Sequence, residues 1–157
     1  MSVILPGSYD PITLGHLDII KRVAMSEDEV YVVAFINPDK NYLFPIEDRV
    51  AMMMLALDDI DNVFVSYSTG RVVDYMREHG IDSIVKGYRN EADLEYERVQ
   101  AEYNEYHGGY KTVFMPSDEC YREVSSTRVR EAIKSGEDFS SLLHPRVAEY
   151  IIKNKLV

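Results

Sequence analysis

The apolar run Val3-Ile4-Leu5 stops at Pro6-Gly7, and the segment Ser8-Tyr9-Asp10-Pro11-Ile12-Thr13 separates it from a helical pattern opening at Leu14-Gly15-His16. A strand that turns through small residues into a helix sets the start of a β-α unit. It also delivers backbone N–H groups and a positive helix end to one place, which suits phosphate. Leu14, Leu17, Ile20 and Val23 repeat at helical spacing, so His16 is expected in the first turn, beside N–H groups that lack intrahelical partners. An imidazole there can face an anion. The alternative is an ordinary β-to-α turn in which Gly7 and Gly15 ease the backbone and His16 caps or packs. Neither G-x-G-x-x-G nor G-x-x-x-x-G-K-[ST] occurs here, which counts against a dinucleotide dehydrogenase or a P-loop kinase.

Further strand-like runs rich in Val, Ile, Phe and Tyr occupy Glu29 to Ile36, Val63 to Ser66, Ser83 to Lys86 and Thr112 to Met115, after the first at Ser2 to Leu5. Helix-period segments separate them. Apolar strands alternating with helices argue for a parallel sheet with right-handed crossovers. The expectation is α/β: a Rossmann-like, doubly wound sheet of five parallel strands in a single domain over residues 1–157. Ligands bind such sheets beyond the carboxyl ends of the strands, so the segment after each strand carries most of the functional information.

After the second strand comes the polar loop Asn37 to Phe44, with Lys40 its only cation, leading into a helix at Pro45-Ile46-Glu47-Asp48. Met52, Met53 and Met54 on that helix read as adaptable core filling. The segment Tyr67 to Val73 opens a helix closed by Gly80. The fourth strand ends at Lys86-Gly87-Tyr88-Arg89, two cations flanking a glycine, or simply a solvated pair of charges. From Glu91 to His107 six acids face one arginine, while Tyr96, Val99, Tyr103 and Tyr106 fall at helical spacing. By default that is a core stripe opposite a solvated face; an aromatic face beside a strand-end pocket also suits a lipophilic ligand arm or a neighbouring subunit. Ser125-Ser126-Thr127 before a helix, with Arg128 and Arg130, offers one N-cap and hydroxyls left over for a ligand. Pro145 to Val157 reads as an amphipathic helix with Val147, Ile151 and Ile152 inward.

Charge narrows the partners. A formal net charge of −10 opposes binding to nucleic acid or an anionic membrane, whose phosphates are held mainly by Lys and Arg, so a polyanionic ligand must be small and met by a local cation cluster. One cysteine, Cys120, allows neither an internal disulfide nor a multi-cysteine zinc site. With no long apolar run and no basic-then-apolar leader, a cytoplasmic location is expected.

The segment G-[ST]-[FY]-D-P-x-T-x-G-H at Gly7 to His16 resembles the nucleotide-binding signature of the adenylyltransferases related to class I aminoacyl-tRNA synthetases, in its phosphopantetheine adenylyltransferase form. Lys40, the run Lys86-Gly87-Tyr88-Arg89 with Asp93, Tyr96 and Glu97, and Ser125-Ser126-Thr127 match the same family in order. The family pattern R-G-[LI]-R-x-x-x-D-[FL]-x-Y-E is broken at Lys86 and Tyr88. The resemblance implies joining of the AMP part of ATP to 4′-phosphopantetheine, giving dephospho-coenzyme A, with coenzyme A a further small-molecule ligand. It implies ATP contacts from Ser8, Tyr9, His16, Gly87, Tyr88, Arg89, Glu97, Tyr121, Arg122, Glu123, Val124, Ser125, Ser126 and Thr127. Phosphopantetheine contacts would come from Ser8, Lys40, Val72 and Lys86. His16 and Lys40 would be the catalytic pair, and magnesium and a homohexamer are typical of the family. A sister adenylyltransferase acting on nicotinate or nicotinamide mononucleotide is the rival, although that branch commonly has a second histidine where this chain has Thr13. A nucleotide-binding module without turnover is the other.

Overall fold

The computed structural model describes residues 1–156. Five parallel strands, β1 (Ser2–Gly7), β2 (Glu29–Phe35), β3 (Val63–Ser68), β4 (Ser83–Tyr88) and β5 (Thr112–Pro116), lie in the order β3-β2-β1-β4-β5. Six helices accompany them: α1 (Leu14–Ala24), α2 (Ile46–Leu57), α3 (Val72–His79), α4 (Glu91–Gly108), α5 (Ser126–Ser135) and α6 (Pro145–Lys153). The chain builds outward from β1 to β3, then returns to place β4 on the other side of β1. That reversal opens a crevice at the carboxyl ends of β1 and β4, the position where ligands enter doubly wound sheets.

Alternation along the central strands assigns the layers. Val3, Leu5, Val30, Val32 and Val85 pack on one face with Leu17, Ile20 and Val23 of α1, Met52 and Met53 of α2, Val129 of α5 and Val147 and Ile151 of α6. Ile4, Val33 and Ile84 point the other way, onto Tyr75 and Met76 of α3. Both faces of β1 are covered, hence its unbroken apolar sequence.

Four strands run beyond the apolar residues that announce them. Gly7 pairs with Ala34, Val33 and Ala34 draw β3 on to Ser66 and Tyr67, and Gly87 and Tyr88 pair with Met115 and Pro116. A parallel ladder continues for as long as a neighbour offers backbone groups, whatever the side chains. β2, in contrast, stops at Phe35, and Tyr67 and Ser68 close β3 instead of opening α3. Gly80 ends α3 in the left-handed conformation at φ 64°, as its position suggests.

Three expectations about burial are corrected. Met54 is half exposed while Met52 and Met53 are wholly buried, because the third consecutive residue of a helix turns away from the sheet. On α4 the aromatic stripe faces outward: Tyr96, Val99, Tyr103 and Tyr106 are all exposed and Asn104 is the helix's one buried residue. Helix α4 packs on β4, β5 and α3 through the side that carries Leu94, Ala101 and Asn104, which leaves the stripe toward solvent. At the end of the chain α6 stops at Lys153, where Lys155 takes φ 51° and Leu156 N donates back to Ile151 O. Within α6 the inward face is Val147, Ala148 and Ile151, and Ile152 is exposed. The proposed last helical residue, Val157, lies outside the described residues.

Candidate active site

Two cavities meet at the β1-β4 crevice. The first, of about 330 Å³, is walled by the Gly7–His16 turn, the end of β4 and the start of α5. The second, of about 300 Å³, runs between Phe35, Lys40 and Tyr42 on one side and Val72, Gln100 and Asn104 on the other. Ser8, Lys86 and Glu97 line both.

His16 is held by its own helix start. Thr13 is the N-cap of α1, and its backbone N–H donates to His16 Nδ1 at 3.0 Å while its hydroxyl lies 3.1 Å from the same nitrogen. Nδ1 must therefore accept, which leaves the ring proton on Nε2. Burial, then the charges of Lys86 and Arg89, push the imidazole pKa down to about 4, so at neutral pH the ring is an uncharged donor. The ring of Tyr9 lies beside it, centroids 4.9 Å apart. Gly15 permits the close approach of the α5 side: a Cβ there would sit 3.1 Å from Val124 O.

The cations differ in their surroundings. Lys40 Nζ donates to Ser8 Oγ at 2.9 Å, joining the β2-α2 loop to the first turn, and has no carboxylate partner among the described residues. Lys86 Nζ lies 3.0 Å from Glu97 Oε2, a charge contact poorly aligned for a hydrogen bond, and donates to Pro6 O at 3.2 Å. Arg89 is gripped by Asp93, whose Oδ2 accepts from both its backbone N and its Nε. Asp93 and Glu97 sit one turn apart on α4, so a single helix supplies counter-charges to both β4 cations.

A cytidylyltransferase-like family model matches residues 4–132. The phosphopantetheine adenylyltransferase of Corynebacterium diphtheriae is 42% identical over 151 residues, 96% of this chain and 95% of the relative. That of Corynebacterium efficiens is 43% identical over 156 residues, 99% of this chain and 98% of the relative. The chain belongs to the phosphopantetheine adenylyltransferase family. Among solved structures, Plasmodium falciparum nicotinic acid mononucleotide adenylyltransferase complexed with NaAD superposes with a TM-score of 0.71 over 99% of this chain and 96% of that one. At 16% identity it shares the fold alone.

Within this family frame the structure brings together Ser8, Tyr9, His16, Lys86, Gly87, Tyr88, Arg89, Glu97 and Val124 to Thr127 around the first cavity, and Lys40 and Val72 beside the second. It leaves Tyr121, Arg122 and Glu123 outside both walls, at the end of a 3-10 turn, its cap and the residue after it. Tyr9 presents backbone, not hydroxyl: its Oη donates to Leu5 O at 2.8 Å inside the core, and burial raises its pKa. The expected spare hydroxyls are also engaged. Ser125 accepts from Arg128 N, Ser126 donates to Pro11 O at 2.7 Å, and Thr127 accepts from Arg130 Nη2. Ser125 and Thr127 keep an O–H to donate; Ser126 is spent on tying α5 to the first turn. Asp10 and Thr13 fall within the quoted signature, yet sequence reasoning assigns no role to them or to Arg49. Thr13 precedes the helical pattern, which is the N-cap signal, whereas the partners of Asp10 and Arg49 are distant in the chain.

Proposed function

We propose that this chain transfers the adenylyl group of ATP to 4′-phosphopantetheine, releasing pyrophosphate and giving dephospho-coenzyme A. The observation that carries the reading is the meeting of two cavities at Ser8 and Lys86, with Lys40 of the second cavity bonded to Ser8, in a chain over 40% identical to relatives of that name along nearly its whole length. One cavity is assigned to ATP and the other to the acceptor, so their phosphates converge where the cations stand. An oxygen of the acceptor phosphate attacks the α-phosphorus in line as the bond to the bridging oxygen of pyrophosphate breaks. The nucleophile is already ionised, so positioning and charge stabilisation supply the catalysis.

Each side chain then has a role that its surroundings support. His16 donates Nε2–H to the α-phosphate without adding charge. Lys40 leaves Ser8 Oγ to meet the charge that develops between the two phosphates. Arg89 orients the outer phosphates through the guanidinium edge that Asp93 does not hold. Lys86 meets the acceptor phosphate. Magnesium is proposed to arrive on the triphosphate, where it would spread the charge of the leaving pyrophosphate. Among the described residues no group of three or more His, Cys, Asp or Glu side chains could hold a metal ion, and Asp93 and Glu97 are occupied by cations, so the donor set fits a metal carried by substrate.

A homohexamer and a cytoplasmic location complete the proposal. The exposed stripe Tyr96, Val99, Tyr103 and Tyr106 supports contact between copies, which light scattering tests. Among the described residues no helix is long and apolar enough to cross a membrane. The deciding experiment mixes the protein with ATP, magnesium and either 4′-phosphopantetheine or nicotinate mononucleotide. Pyrophosphate release with the first acceptor alone is the expected result, and release with the second alone would overturn the assignment.

A further inference from the structure

The Gly7–His16 turn and the Lys40 loop are separate segments, yet they are fastened together by buried charged residues, Asp10 and Arg49, that line neither cavity. Asp10, 2% exposed, accepts from Leu43 N through Oδ2 at 2.8 Å and from Phe44 N through Oδ1 at 2.9 Å. Arg49 of α2, also 2% exposed, runs the opposite way: its Nη1 donates to Ser8 O at 2.9 Å and its Nε to Phe44 O at 3.1 Å. The guanidinium carbon lies 3.9 Å from the centre of the Tyr42 ring, and the Tyr42 hydroxyl accepts from Asn37 N at 2.8 Å, closing the loop across Lys40. From α5, Arg130 Nη1 donates to Asp10 O at 2.9 Å and stands 4.0 Å from Oδ2.

We infer that Asp10 and Arg49 are positioning residues that anchor the backbone of the Lys40 loop beside Ser8, so that the ammonium reaches the bound phosphates from a fixed base. A loop lysine has four rotatable bonds and a mobile backbone beneath it. Its usefulness to a reaction between two bound phosphates depends on where its loop is anchored. Asp10 takes up both N–H groups at the foot of the loop and Arg49 one carbonyl from each segment, so neither segment moves without breaking bonds to buried charge. Asp10 and Arg49 reach the reaction through Lys40 and touch no reacting atom.

This inference rests on the catalytic role proposed for Lys40, and a double-mutant cycle separates the two. kcat and both Michaelis constants are measured by pyrophosphate release for wild type, Asp10→Asn, Lys40→Met and the double variant. Asp10→Asn is expected to lower kcat roughly 10- to 100-fold with the Michaelis constant for ATP changed less than about 3-fold. In the Lys40→Met background the same substitution is expected to lower kcat by less than about 3-fold, because residues acting as one unit are not additive. Equal losses in both backgrounds would overturn the positioning role. Wild-type activity of Lys40→Met would instead overturn the role of Lys40 itself. If Asp10→Asn does not fold, Arg49→Lys replaces it in the cycle: it keeps the charge and loses the fork that reaches two carbonyls. Non-additivity with Lys40→Met supports the inference there too, and additivity overturns it.

Discussion

Lys40 and the pair Lys86 and Arg89 reach the same crevice from opposite sides of β1, and they are treated differently by the fold. The β4 cations arrive with carboxylates attached, Glu97 at 3.0 Å and Asp93 at 2.9 Å, both from α4. Lys40 arrives with the Ser8 hydroxyl on its ammonium and the Tyr42 ring 5.7 Å away, and the buried charges beneath its loop, Asp10 and Arg49, are spent on holding backbone. A cation paired with a carboxylate is well oriented and offers a weakened field. One resting on a hydroxyl keeps its field for whatever anion arrives. The difference divides the site into a positioning wall and an electrostatic one.

That division ranks the effects of substitution. Lys40→Met removes unneutralised charge and is expected to lower kcat roughly 100- to 1,000-fold, the range for deleting one transition-state donor, with the thermal midpoint nearly unchanged. A small loss in turnover would erase the contrast between the walls. His16→Ala removes a neutral donor and is expected to cost about 100-fold in turnover. If the midpoint falls while turnover holds, His16 is a capping residue. Lys86→Ala is expected to cost about 10- to 30-fold in the specificity constant for phosphopantetheine, part of it because Glu97 is left unpaired and repels phosphate. Adding Glu97→Gln should therefore restore some of that loss. No restoration would mean that Glu97 does not weaken Lys86. Lys86→Arg keeps the charge and should keep activity.

The smallest effect concerns pH. With the folded pKa of His16 pushed down to about 4 from an ordinary value near 6.5, the unfolded chain binds more protons between these values. Stability from this group is complete above about pH 6.5 and is lost as pH falls toward 4. Denaturation midpoints at pH 7 and pH 5, compared between wild type and His16→Asn, read this directly: the variant should lose less on acidification. The rate should show no inflection near pH 6.5 from His16, since the ring stays neutral there.

Much of the site was legible in sequence because its parts are local. The Gly7–His16 segment and Lys86 to Arg89 each end a strand, and their residues stand within one turn of each other. Where an expectation about the site or about α4 failed, the missing fact was a neighbour in space. The hydroxyl of Ser126 looks available until Pro11, distant in the chain, comes into contact with it. The tyrosines of α4 look like a core stripe until the helix settles on β4, β5 and α3 by its other side.

By itself the sequence determined the class of fold and the chemistry at the ends of the strands, since alternation, period and turn residues act over a few positions and are written in adjacent residues. The tertiary structure alone decided which charge is left free. Asp10 meets Leu43 across 33 residues and Lys86 meets Pro6 across 80, and no local pattern says which cation a helix will neutralise or which loop a buried carboxylate will hold. Those pairings follow from the strand order, because placing β4 beside β1 is what brings Lys86, the first turn and the Lys40 loop to one crevice.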